Sequence, residues 1–210
     1  MKVVPLGTLG ELMQGLPHRF SPSRDLVEQD PTDGPAFHLL SIGDITGLTV
    51  TPGSSRPVHL PRGTPTDRYT LRNGDVLLTI RTRPFRAAAV TDPDPLMIPT
   101  QNLAVLRPNP DILHGPYLAT YLNTPEAQTD INGRYGQSAA TPLLKLSSLA
   151  EIPIPLPPMY IQKQIADLAL SFEEEEKATQ ALLAERRALV QRSIALVIHQ
   201  PPVTTPERLL

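Results

Sequence analysis

Cysteine and tryptophan are absent from this sequence, and only four phenylalanines and five tyrosines occur in its 210 residues. Without cysteine there are no disulfides, no zinc–thiolate sites and no thiol nucleophile, which fits a cytoplasmic protein. With so few aromatic rings, a core must be built mostly from aliphatic chains, and a hydrophobic content of 40% supplies them. No apolar run approaches the ~20 residues that span a bilayer, and the opening segment MKVVPLGTLGEL lacks the long apolar centre of a signal peptide. A soluble, intracellular protein is therefore expected. The five histidines (His18, His38, His59, His114 and His199) have no metal-ligand spacing, and Gly7, Gly10 and Gly15 do not form a phosphate-cradling G-x-G-x-x-G loop. No cluster of carboxylates with lysine stands out, so no catalytic residue, bound cofactor or metal is expected.

Proline, by contrast, is abundant. Twenty-five in 210 residues is more than twice the usual ~5% and predicts extended segments and loops over most of the chain rather than a helical bundle. The exception begins at the junction IPIPLPPMYIQKQIADL. Pro153, Pro155, Pro157 and Pro158 cannot donate backbone hydrogen bonds, so this segment runs extended, as polyproline or as an edge strand. Pro157 or Pro158 then stands where a helix can start. Neither proline nor glycine follows until Pro201, which predicts one helix from about Met159 to Gln200, roughly 60 Å long at ~1.5 Å per residue. Its apolar positions Ile161, Ile165, Leu168, Phe172, Leu182, Leu189 and Leu196, with Thr179 between, have the spacing of a helix that lays a seam on a partner helix. The run Glu173 to Glu176 reads as a solvated face or a local break, with a docking patch for a basic partner as the alternative.

The net charge of −2 gives no sign of nucleic-acid binding, but its distribution does. Residues 1–150 carry thirteen basic and thirteen acidic groups, whereas the segment 56–86 carries Arg56, Arg62, Arg68, Arg72, Arg81, Arg83 and Arg86 against only Asp67 and Asp75. It contains no lysine. A planar guanidinium fork suits phosphates and guanine edges, and scattered solvated arginines are the competing reading.

In chain order, Leu6, Leu9 and Leu12 suggest a short strand and turn, and residues 16–34 a loop. Residues 37–50, FHLLSIGDITGLTV, read as a short strand running into a Gly-Asp turn. YTLRNGDVLLTIRT, residues 69–82, reads as a hairpin-like unit with a positive-φ turn at Asn73-Gly74, and Asp75 is expected to bond its own backbone rather than act in catalysis. MIPTQNLAVLRP reads as one strand. PYLATYLNTPEAQTDI reads as one amphipathic helix with Leu118, Tyr121 and Leu122 on a face, and Tyr117 and Tyr121 in the core rather than stacked on bases. NGRYGQSAATPLLKLSSL then supplies a loop of glycines, hydroxyls and amides beside Arg134 and Lys145 that suits phosphates.

These pieces, in this order, resemble the specificity subunits of type I restriction-modification enzymes. The resemblance is carried by Gly43-Asp44-Ile45, by Leu71, Gly74, Asp75, Val76, Leu77, Leu78 and Thr79, by Gln101-Asn102, and by Ile152, Pro153, Leu156, Pro157, Pro158, Gln164, Ile165 and Ala166. It implies an α+β chain: a β-rich, proline-rich target-recognition domain over residues 1–157, a long coiled-coil-type spacer helix over 158–200 and a flexible tail over 201–210. It is one copy of a unit that occurs twice in a full specificity subunit. It further implies a non-catalytic role in which the chain recognises double-stranded DNA for a separate methyltransferase that holds S-adenosylmethionine, with or without a restriction subunit. Leu156-Pro157-Pro158-Met159 lacks the polar head and the aromatic of an amino-methyltransferase motif. The expected DNA contacts are Arg68, Arg72, Arg81, Arg83, Arg86, Arg134, Gln137, Ser138 and Lys145. The expected homodimer pairs through the helical seam. A protein-interaction adaptor assembled through that helix is the rival reading.

Overall fold

Apolar residues alternate strictly between two faces along the central strands, and this alternation organises the molecule. The computed structural model describes residues 2–20, 35–50, 57–134 and 143–198. Four antiparallel strands, β2 (Gly10–Gln14), β4 (Val76–Thr79), β5 (Ala87–Ala89) and β7 (Leu103–Pro108), form a sheet in the order β2-β7-β4-β5. Val76, Leu78, Ala87, Ala89, Ala104 and Leu106 point into one core cluster, and Leu77, Ala88, Val90, Leu103 and Val105 into another on the opposite face. A strand with two buried faces reads as a continuous apolar run, as VLLTI does. On the first face lie α2 (Gly115–Leu122), α3 (Pro125–Arg134) and α4 (Leu146–Ala150), through Tyr117, Leu118, Leu122, Ile131 and Leu149. The second face is covered by Leu40, Ile45 and Leu71. A smaller cluster of Leu16, Leu60, Tyr69 and Ile98 packs beside the parallel pair β3 (His38–Leu40) and β6 (Met97–Pro99).

Three segments depart from their sequence expectation. Asn73-Gly74 does turn the chain, and Gly74 has φ +88°, but it joins the short helix α1 (Thr66–Tyr69) to β4 instead of two paired strands; the partners of β4 are β5 and β7. MIPTQNLAVLRP is two strands, β6 and β7, separated at Gln101-Asn102. The expected single helix is divided into α2 and α3 at Asn123-Thr124, because Pro125 has no N–H to continue the ladder.

The proline segment is extended, as its chemistry requires. β8 (Pro153–Leu156) pairs antiparallel with β1 (Lys2–Pro5), with Val4 opposite Ile154 and Val3 opposite Pro155. Ile154 and Leu156 alternate with prolines, so the missing N–H groups fall on the side away from β1. There the Tyr117 hydroxyl donates to the Pro155 carbonyl at 2.8 Å and the Tyr121 hydroxyl to the Pro153 carbonyl at 3.0 Å. Burial pushes the Tyr117 phenol up to about 12 from its ordinary 10, with Tyr121 adding to the shift. A folded-state pKa above the unfolded one means a contribution that is complete below pH 10 and lost as pH rises toward 12. Chemical denaturation at stepped alkaline pH is expected to reveal this loss, and Tyr117→Phe is expected to abolish that part of the alkaline decline.

The last helix, α5 (Met159–Ile198), starts directly after Pro158, whose carbonyl accepts from the Ile161 and Gln162 N–H groups. Gln162, 1% exposed, ties its first turn down: its Oε1 accepts from the His114 N–H at 2.9 Å, and its Nε2 donates to the Ile112 and Pro157 carbonyls, both at 3.0 Å. Ala166 is buried one turn later. Residues Met1–Leu170 constitute one compact unit and Ser171–Leu210 a second. The helix is continuous through Glu173 to Glu176, where Glu173 pairs with Lys177 at 3.2 Å and the other three carboxylates are exposed, the pattern of a solvated face. No helix among the described residues is long and apolar enough to cross a membrane.

Candidate nucleic-acid interface

One end of the four-stranded sheet gathers five of the cations expected to meet DNA: Arg68, Arg81, Arg83, Arg86 and Lys145. There β4 leaves the sheet and β7 enters it. The Ile80 N–H donates to the Asn102 carbonyl at 3.1 Å, and the Leu144 N–H to the Ile80 carbonyl at 3.0 Å, which brings residues 143–145 alongside. The connection from β4 to β5 carries Arg81, Arg83 and Arg86, and it is closed at its base by the Thr79 hydroxyl, which accepts from the Arg86 N–H at 2.9 Å. Arg83 and Arg86 are exposed, as is Lys145; Arg81 is half-buried, and its Nε is buried without a hydrogen-bond partner. The planar guanidinium fork of such arginines suits phosphate oxygens, which accept its N–H groups.

Arg68 reaches the same end from α1. It lines a cleft of about 280 Å³ with Gln14, Gly15, Tyr69, Gln101 and Leu146, its guanidinium 5.9 Å from the Tyr69 ring centre. Neither glutamine was expected as a site residue from the sequence. Gln14 Nε2 donates to the Gln101 carbonyl at 2.7 Å, and the Gln101 side-chain oxygen accepts from the His18 N–H at 3.2 Å.

Arg72 lies elsewhere. It precedes β4, at the opposite end of that strand from Arg81, and lines a separate cleft of about 500 Å³ with Asp75, Arg107 and His114. Burial, then the Lys163 charge, hold the His114 imidazole below its ordinary pKa, with Asp167 opposing, so near neutral pH it adds no positive charge there. Arg134, at the end of α3, is ion-paired with Glu151 at 2.7 Å. Gln137 and Ser138 lie outside the described residues.

Asp75 is a structural residue, as its place beside the turn glycine predicts, but with a partner that local sequence did not announce. Its Oδ2 accepts the Arg72 N–H at 2.9 Å, and its two oxygens take Nε and Nη2 of Arg107 at 2.9 and 2.8 Å. The hydrogen bond to Asp75 is the chief reason that the Arg107 pKa is raised. Among the described residues, no group of three or more His, Cys, Asp or Glu side chains could hold a metal ion.

These features define an α+β domain that presents cations at one end of a sheet and leads directly into a long helix. The chain belongs to the type I restriction modification DNA specificity domain family, whose model matches residues 65–185. A comparison with curated proteins gives no match. Among solved structures, one described as the structural basis of complex assembly and conformational transition of the type I R-M system aligns with a TM-score of 0.61 and 22% identity. The HsdS subunit from Thermoanaerobacter tengcongensis aligns with 0.55 and 21%, and the type I restriction-modification system S subunit from M. genitalium with 0.56 and 15%. Each alignment covers 91% of this chain but only 42–44% of the other, so the chain spans less than half the length of the structures it matches.

Proposed function

We propose that this chain is a DNA-sequence specificity subunit, without catalysis of its own, that directs a separate methyltransferase to a two-part site in double-stranded DNA. The observation that carries this reading is the convergence of Arg68, Arg81, Arg83, Arg86 and Lys145 on one end of a rigid sheet in a chain of this family. Contacts to phosphates supply affinity and register, and contacts to base edges supply specificity. Residues 1–157 act as the recognition domain, 158–200 as spacer and pairing helix, and 201–210 as a tail. Two copies pairing along Ile161, Ile165, Leu168, Phe172, Leu182, Leu189 and Leu196 present two like domains, so the site has matching halves. The partner methyltransferase holds S-adenosylmethionine and extrudes the target base, in the cytoplasm, with or without a restriction subunit in the same assembly.

Modified-base sequencing of DNA from cells expressing this chain with a cognate methyltransferase, against the methyltransferase alone, tests the proposal. A new two-part motif with symmetric halves is expected. No new motif despite co-purification of the two proteins would favour an adaptor that never meets DNA. For the cationic rim the expected result is equally specific: Arg81→Gln combined with Arg86→Gln lowers the slope of log K against log salt by about 2, at ~0.9 per lost phosphate contact. Fluorescence anisotropy at stepped salt measures that slope, and an unchanged value would remove both residues from the interface.

A further inference from the structure

We infer that Gln14 and Gln101 determine part of the specificity, acting as a tethered amide pair that reads a base edge of double-stranded DNA in the cleft beside Arg68. This inference rests on the DNA-binding reading above and adds a reading element to it.

The argument starts from what each amide has left to offer. Gln14 uses one Nε2 hydrogen on the Gln101 carbonyl, which leaves its Oε1 an acceptor without a partner among the described residues. Gln101 uses its Oε1 to accept from the His18 N–H, and its Nε2 hydrogens have no acceptor among the described residues. The cleft therefore contains an unused acceptor and unused donors on neighbouring side chains, both half-buried. Phosphate oxygens only accept hydrogen bonds, so a second acceptor facing the backbone would be useless or repulsive. A purine edge is different, because adenine presents the N7 acceptor beside the N6 donor, the pattern that a glutamine amide matches. The arginines of the rim can only donate and suit phosphates; the glutamine pair can do both and suits bases.

Placement strengthens the case. Gln14 is the last residue of β2 and Gln101 sits in the turn into β7, so both stand on the sheet and not on a long loop. Between them the backbone is packed tightly: a Cβ on Gly15 would lie 2.3 Å from the Thr100 carbonyl oxygen. Each amide is already fixed by a hydrogen bond, so little rotamer freedom remains to be lost when a base arrives. Arg68, for which no ion pair exists among the described residues, supplies the charge that holds a strand over the cleft.

Selection of binding sites from a randomised duplex pool, with the full chain, tests this. Gln101→Glu is the decisive variant, because a glutamate oxygen still accepts the His18 N–H while the free donors become an acceptor. The expected result is a changed base preference at one position per half-site, by about tenfold or more and toward a base that donates, such as cytosine through N4, with the other positions intact. Gln14→Met is expected to relax the same position or its neighbour. Thermal melting checks that each variant is folded, and Gln101→Glu carries the test if Gln14→Met is not. An unchanged motif with folded Gln101→Glu, or a uniform loss of affinity at all sequences, overturns the inference while leaving the DNA-binding reading intact. Failure of the unmodified chain to select any motif overturns both.

Discussion

Replacing Asp75 with alanine is expected to lower the unfolding free energy by about 3–5 kcal/mol, the range for removing one partner of a buried ion pair. The magnitude follows from what is left behind. The Asp75 side chain is 1% exposed and that of Arg107 15%, so the orphaned guanidinium has little water to replace the carboxylate. The Arg72 N–H loses its acceptor as well. Asp75→Asn keeps a side-chain oxygen for that amide, so the difference between the two variants isolates the backbone bond from the charge. Urea denaturation of both, together with Arg107→Met and the double variant Asp75→Leu with Arg107→Met, completes the cycle. The double variant is expected to be closer to the unmodified protein than either single change, since no buried charge then stands alone. Additive losses would mean that Asp75 and Arg107 stabilise the fold independently.

That pair also marks where sequence reasoning stops. An aspartate after a turn glycine has a local explanation, and the bond to the Arg72 N–H is that explanation. The salt bridge needs β7 to lie beside β4, and nothing within a few residues of Arg107 encodes that neighbour. The pattern of prolines around Ile154 and Leu156 is legible as an extended segment, polyproline or edge strand, because proline's missing donor is a local fact; that β1 pairs with it and Tyr117 and Tyr121 hold it is not. Gln162 was passed over for a related reason. Periodicity finds apolar stripes, and the face of α5 that meets the domain is made by a glutamine and an alanine, Gln162 and Ala166. The division between α2 and α3 is local, set by Pro125, but apolar periodicity runs across it and does not show it. On the interface side, an arginine surplus is visible in any linear window, but the topology decides that Arg68 joins Arg81 at one end of the sheet while Arg72, four residues after Arg68, belongs to the other.

The second large effect concerns the helix. Leu182→Glu with Leu189→Glu is expected to convert the proposed dimer into monomers at micromolar concentration, as sedimentation equilibrium would report. In this chain Leu168, Phe172, Leu182, Leu189 and Leu196 are between 56% and 73% exposed, far more than a core position tolerates, and they repeat at seam spacing. Burying a leucine is worth about 1.5–3 kcal/mol. Two leucines from each copy thus contribute roughly 6–12 kcal/mol, comparable with the ~8 kcal/mol of a micromolar dissociation constant. Their replacement by four carboxylates removes that term and adds repulsion. If the unmodified chain were already monomeric at high concentration, the seam would have to be covered by a different protein, and symmetric half-sites would no longer be expected.

One small arrangement in the recognition domain bears on how such a chain survives at high concentration. β5 is the outer strand of its sheet, with Ala87 and Ala89 directed away from β4. The Asn123 amide occupies both backbone groups of Ala87, accepting from its N–H at 3.1 Å and donating to its carbonyl at 2.7 Å. The Ala89 N–H donates to the Leu48 carbonyl at 2.7 Å, and its carbonyl accepts from the Val50 N–H at 2.9 Å. An alanine-rich border strand is a natural template for runaway stacking of one molecule on the next. Here a single carboxamide and a crossing segment act as a cork, and the border is closed to any stranger's backbone.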